Sequence, residues 1–235
     1  MKKIISKSIF LLFLLSFTAC NDDNSKSTPI TVEDAYIFSY ISSSPDAEDK
    51  IVYSLKINAF STNYTINSID VNNNSSDFSL ENNSGIYSYE EGPYDDYSKF
   101  IGTYTFNFTF STTSNVTSFN KVTSDVIQPA KITSCIGNSS FNYIVVKWNT
   151  IEKANALLIQ MKDSEGNIIF SNNNSYNQLY TNEYTISDST GAWAENRFLT
   201  KGESYTIEIL GFLTETDGSS YIQSESLASA IVVWE

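Results

Sequence analysis

Residues 103–110 read Thr-Tyr-Thr-Phe-Asn-Phe-Thr-Phe, and no other stretch constrains the fold as tightly. Successive side chains of a strand point to opposite faces. Tyr104, Phe106, Phe108 and Phe110 therefore share one face, and Thr103, Thr105, Asn107 and Thr109 the other. A helix would scatter the same aromatics around its circumference. The pattern recurs: Ile51, Tyr53, Leu55, Ile57 and Ala59 alternate with Ser54, Lys56 and Asn58. Further strands are predicted over 34–42, 63–72, 77–81, 85–90 and 115–119. Clusters such as Asn72-Asn73-Asn74-Ser75-Ser76 and Asn82-Asn83-Ser84-Gly85 punctuate them as turns. Beyond residue 30 no segment carries a helical period. Short strands at this spacing predict an antiparallel sandwich over residues 31–127.

A second set of strands follows Pro129, a residue excluded from central strands. Ile144, Val146 and Trp148 alternate with Val145 and Lys147. Residues 156–161 are apolar, and Asp163-Ser164-Glu165-Gly166-Asn167 turns the chain into Ile168-Ile169-Phe170. Tyr184 and Ile186 form another strand. Tyr205, Ile207 and Ile209 alternate with Thr206 and Glu208, and the chain closes on Leu227, Ser229, Ile231 and Val233. The expected fold class is all-β: two tandem immunoglobulin-like antiparallel β-sandwiches, at 31–127 and 128–235. Each is near 100 residues, enough to bury one core without disulfides.

Composition narrows the chemistry. The chain has no histidine, so a Ser-His-Asp or Cys-His nucleophile and an imidazole metal ligand are excluded. Two cysteines make neither a zinc site nor a disulfide scaffold. A formal net charge of −13 argues against a nucleic-acid partner. No cofactor or metal is expected.

The first residues read as an address. Met1-Lys2-Lys3 and Lys7 precede the apolar run Ile9–Leu15, too short to span a bilayer as a helix. Residues 1–19 are expected to be a cleaved signal peptide. Ser16-Phe17-Thr18-Ala19-Cys20 resembles the lipobox of bacterial lipoproteins, with Phe17 where Leu is commoner. That resemblance implies acylation of Cys20, which becomes the mature N-terminus. The following Asn21, Asp22 and Asp23 resemble the surface-export signal of Bacteroidetes lipoproteins. Residues 20–30 then form a lipidated tether, and the expected location is the outer face of the cell outer membrane. Two or three acyl chains, at ~0.8 kcal/mol per buried CH₂, hold where one does not. With Cys20 acylated, Cys135 has no partner in the chain and is expected to be a small buried hydrophobe.

Residues 129–235 resemble a fibronectin type III domain. The matching pieces are Pro129, the run Ile144-Val145-Val146-Lys147-Trp148, and Leu199-Thr200-Lys201-Gly202-Glu203-Ser204-Tyr205. The resemblance implies that Trp148 is a core residue on the second strand. It also implies that Tyr205 is a corner tyrosine whose hydroxyl bonds to nearby backbone. Gly102-Thr103-Tyr104 hints at a second corner in the first sandwich. One departure is an insertion between Ser187 and Phe198.

Candidate ligand-binding residues follow from what the strands leave over. Trp193 and Arg197 lie on the insertion, outside any alternating run, and an exposed indole there stacks on a sugar ring. The other reading has Trp193 fold back over the sandwich end. Tyr94 and Tyr97 belong to the segment Tyr87–Tyr97, dense in tyrosine and acid, a composition suited to adaptable contacts. It lacks the ordered spacing of an EF-hand loop, and the other reading is a solvated hairpin. No pair of carboxylates is singled out for a glycosidase mechanism, so no enzyme is expected and a small His-free hydrolase ranks third. The first expectation is a glycan-capturing accessory module, and the second a structural or adhesive module for a surface protein.

Overall fold

The computed structural model describes residues 28–44, 47–111, 113–172, 182–195, 199–216 and 221–235. Cys20, Asn21, Asp22, Asp23 and Arg197 lie outside the described residues. Regular structure among those described is β-strand, apart from one 3-10 turn at Ser98–Phe100.

The first sandwich packs two four-stranded sheets. One holds β1 (Thr31–Ser44), β2 (Ala47–Ser61), β6 (Ile86–Tyr94) and β5 (Glu81–Asn83), in that order. The other runs β4 (Ser76–Phe78), β3 (Ile66–Asn73), β7 (Gly102–Phe110) and β8 (Val116–Val122). This is the strand order of immunoglobulin-like sandwiches. The aromatic face of β7 meets Ile37, Leu55 and Ile57, and Tyr104, Phe106 and Phe108 are fully buried.

The second sandwich packs β9 (Ile132–Asn138), β10 (Tyr143–Trp148) and β13 (Glu183–Ser187) over a larger sheet. That sheet runs β16 (Ile222–Val233), β15 (Ser204–Thr214), β11 (Ala156–Lys162), β12 (Ile168–Ser171) and β14 (Ala192–Trp193). Its strand order is again that of an immunoglobulin-like sandwich. Trp148, Ile144, Val146, Ile159, Met161 and Ile207 build the core, and Trp234 closes it from the C-terminus. Both corner tyrosines form. Tyr104 donates its hydroxyl to the Phe100 carbonyl at 2.8 Å, and Tyr205 accepts the Thr200 N–H at 2.8 Å.

One feature departs from tandem antiparallel modules. β1 of the first sandwich pairs in parallel with β16 of the second, from Ile37↔Ser224 to Tyr40↔Leu227. The two larger sheets are thereby one nine-stranded sheet. Parallel neighbours need a long crossover, and here nearly the whole chain supplies it. The segment joining the sandwiches straps the junction. Ile127, buried, donates its N–H to Ser224 Oγ and accepts the Ser39 hydroxyl on its carbonyl. Asn120 accepts the Ala35 N–H and donates to Asp34 and Glu215, while Asp34 accepts the Ile222 N–H at 2.8 Å. A third apolar cluster, including Tyr36, Phe38, Leu210 and Phe212, draws on both halves.

Candidate functional site

The tyrosine- and acid-rich segment is a strand end, not a free loop. β6 is pressed onto β2 where the register shifts between Tyr53 and Leu55. Gly92 makes this approach possible: its φ is +144°, and a Cβ there would sit 2.5 Å from Ser54 Oγ. A register shift bends a strand and re-aims its side chains. Beyond it, Tyr94 stands opposite Tyr53.

Glu91 gathers the cluster. Its Oε1 takes the Lys99 ammonium at 2.8 Å and the Tyr94 hydroxyl at 3.2 Å, and its Oε2 takes the Tyr89 hydroxyl at 3.3 Å. The Lys99 bond holds the Glu91 carboxyl below its ordinary range, against the effect of burial. Lys99 also sits 3.1 Å from the centre of the Tyr94 ring, a cation–π contact. Tyr97 meets Tyr53 edge-on at 4.9 Å. Asp95 pairs with Lys50 at 2.8 Å, and Asp96 accepts the Ser98 N–H and hydroxyl. The surface so built offers rings, carboxylates and two ammonium groups at one sandwich end, with Tyr94 40% exposed. Among the described residues no three acidic or thiol side chains converge as a cation site.

Trp193 is placed otherwise than a free platform on an insertion. It lies in a two-residue edge strand, opposite Phe170, with the two rings edge-to-face at 5.0 Å. Its indole N–H donates to the Ser187 carbonyl at 3.0 Å, and the ring packs half-buried on the second core. The packing is tight, since a Cβ on neighbouring Gly191 would collide with the Ser171 carbonyl and the Phe170 ring. Tyr94 and Tyr97 share a surface, but Trp193 does not join it. Seven strand-to-strand steps separate β14 from β6 in the shared sheet, roughly 34 Å at the usual spacing.

The sequence reading passes over one aromatic pair. Phe141 is 72% exposed on the turn between β9 and β10, and its ring stacks on Tyr143 at 6.2 Å. A phenylalanine inside Asn138-Ser139-Ser140-Phe141-Asn142 is the signal: an apolar ring in a run of turn formers. Cys135 lies on β9, half-buried and free. Burial pushes its thiol up to about 11.

No protein-family model matches the chain, and no curated protein does. Solved structures are similar at low identity. Dpr11 IG1 bound to DIP-gamma IG+IG2 is 11% identical over 88% of this chain and 98% of that one, with a TM-score of 0.27. DIP-gamma IG1+IG2 is 10% identical over 87% and 96%, at 0.23. The BSP domain of a biofilm associated protein is 13% identical over 77% of this chain and 26% of that chain, at 0.21.

Proposed function

We propose that the protein is a non-catalytic surface lipoprotein that captures an extracellular polysaccharide on the Tyr94–Tyr97 end of its first sandwich. The observation that carries the reading is the gathering of Lys99, Tyr94 and Tyr89 around the single carboxylate of Glu91. Sugars present flat C–H faces and a rim of hydroxyls. An aromatic ring serves the first, and charged donors and acceptors serve the second. Lys99 sits over the Tyr94 ring and Phe100 meets it edge-on, and a sugar stacks on the part of the ring left exposed. The groups are pre-positioned by one another, which lowers the ordering cost of binding. The lipid on Cys20 holds this surface at the outer membrane.

The test is affinity electrophoresis of the full-length chain, solubilised in detergent, through gels containing barley β-glucan, xylan, galactomannan or starch. Retardation by one polymer, relieved in Tyr94→Ala, is the expected result. Retardation by none sinks the proposal and turns attention to an adhesive role with a surface protein.

A further inference from the structure

We infer that the Phe141 turn is a second polysaccharide contact, in which Phe141 and Tyr143 stack on pyranose rings of a neutral polymer. The inference rests on the proposed capture function and adds a site to it. Phe141 is held in water by construction. Its turn is pinned by the Ser139 N–H donating to the Glu235 carbonyl at 2.7 Å. The Phe141 N–H itself bonds to the Asn138 carbonyl and side chain. Asn142 adopts a left-handed φ of 56° and donates its amide to Asp188. Tyr143 is fixed on both sides, opposite Asn138 and Ser187. A large ring kept exposed in a turn this constrained is presented, because a free turn would let it fold onto the core.

The surroundings suit a polyol. Asn142, next to both rings in the chain, pairs with Asp188, and Ser187, the register partner of Tyr143, has its hydroxyl 3.1 Å from that of Ser189. These are the donors and acceptors that sugar hydroxyls need. A polyanion is disfavoured by Asp188 and by the chain's net charge of −13. The shared sheet carries both sandwiches, so the Tyr94 and Phe141 surfaces are two contacts on one frame. A long polymer that reaches both gains avidity that a short oligosaccharide lacks. Ile136, 61% exposed, sits opposite Val145 on the same sheet and extends the patch with apolar surface only. It separates a sugar platform from a protein dock.

The experiment uses the full-length chain in detergent and the polymer that retards it. Phe141→Ala is expected to weaken retention about tenfold, with the thermal midpoint unchanged. Ile136→Ala leaves retention as it was. Phe141→Trp keeps a ring, retains binding, and its added indole emission shifts blue on adding polymer. Retention equal to the parent in Phe141→Ala, or no emission shift in Phe141→Trp, overturns the inference. Loss in Tyr94→Ala alone does so while leaving the proposed function standing. A parent chain that no polymer retards takes both down. A loss in Ile136→Ala as large as in Phe141→Ala reassigns the patch to a protein partner.

Discussion

Ser224 donates its hydroxyl to the carbonyl of Ile37 at 3.1 Å, and the two residues are also register partners in the parallel pair that joins the sandwiches. The same hydroxyl oxygen accepts the Ile127 N–H at 3.2 Å. One buried serine thus ties together the first strand, the last strand and the strap between the halves. A buried hydroxyl in such a place is costly to lose, because the Ile127 N–H loses the acceptor it has there. The two cores are separate clusters, but the sheet between them is continuous.

The three tryptophans, Trp148, Trp193 and Trp234, all lie in the second sandwich. Their fluorescence reports that half alone. Phe106→Ala opens a cavity in the first core, at a cost of about 3–5 kcal/mol. If the shared sheet makes the halves one cooperative unit, the fluorescence midpoint in urea moves down with the far-ultraviolet circular dichroism midpoint. A fluorescence midpoint that stays put while part of the dichroism melts early refutes the coupling.

Local pattern made much of this fold legible. Tyr104 to Phe110 point inward as their alternation requires, and Trp148 and Tyr205 stand where the fibronectin resemblance implies. Long-range pairing was not legible. Nothing in Ile37 or Ser224 announces the other, since a strand edge looks the same whichever edge it meets. The consequence shows in β2, where Val52 and Ser54 are buried as well as Leu55 and Ile57, because both of its faces are used. β9 was missed because Ile-Thr-Ser-Cys-Ile-Gly-Asn is small, polar and half-exposed. In sequence Trp193 lies outside any alternating run, because a two-residue strand has no period. At the candidate site the composition was legible, but the role of Glu91 depends on Lys99, eight residues on across a turn.

The two corner tyrosines differ in what their loss exposes. Tyr104→Phe strands the Phe100 carbonyl inside the first core, where water does not reach it, and costs about 1–3 kcal/mol. Burial also pushes the Tyr104 phenol up to about 12, so the hydroxyl stays a donor. Tyr205→Phe frees the N–H of Thr200, an exposed residue that water can serve, and costs about 0.5–1.5 kcal/mol. Urea melts of both variants test the order. A Tyr205→Phe loss larger than that of Tyr104→Phe contradicts it.

Cys135 is expected to be inert in the native protein. Its thiol, raised by burial to about 11, is almost wholly protonated at pH 8, and the thiolate is the reactive form. Labelling of the full chain with a thiol-exchange reagent is expected to be slow without denaturant and fast in urea. Rapid labelling of Cys135 in the folded state, read by peptide mass, rules this out.

Acid is expected to strengthen the junction before it weakens the molecule. Asp34 is held well above the ordinary carboxylate range, first by burial and then by Glu215 and Glu33; the N–H groups of Ile222 and Ala35 oppose this. Asn120 bonds its carboxylate, and the Tyr36 phenol feels its charge. Burial raises Glu33 as well. A carboxyl whose folded pKa lies above its unfolded value binds its proton first in the native state. Its contribution to stability is therefore full at low pH and is lost as pH rises through the folded pKa. Glu91 and Asp96 are lowered and act in the opposite sense, but only as pH falls below the ordinary carboxylate range. Between pH 7 and about pH 5 the raised groups decide the sign, and the urea midpoint is expected to rise. Asp34→Asn removes the titrating group and should flatten that rise. A midpoint that falls steadily from pH 7, or an unflattened rise in Asp34→Asn, shows that Asp34 is not the residue through which the junction senses protons.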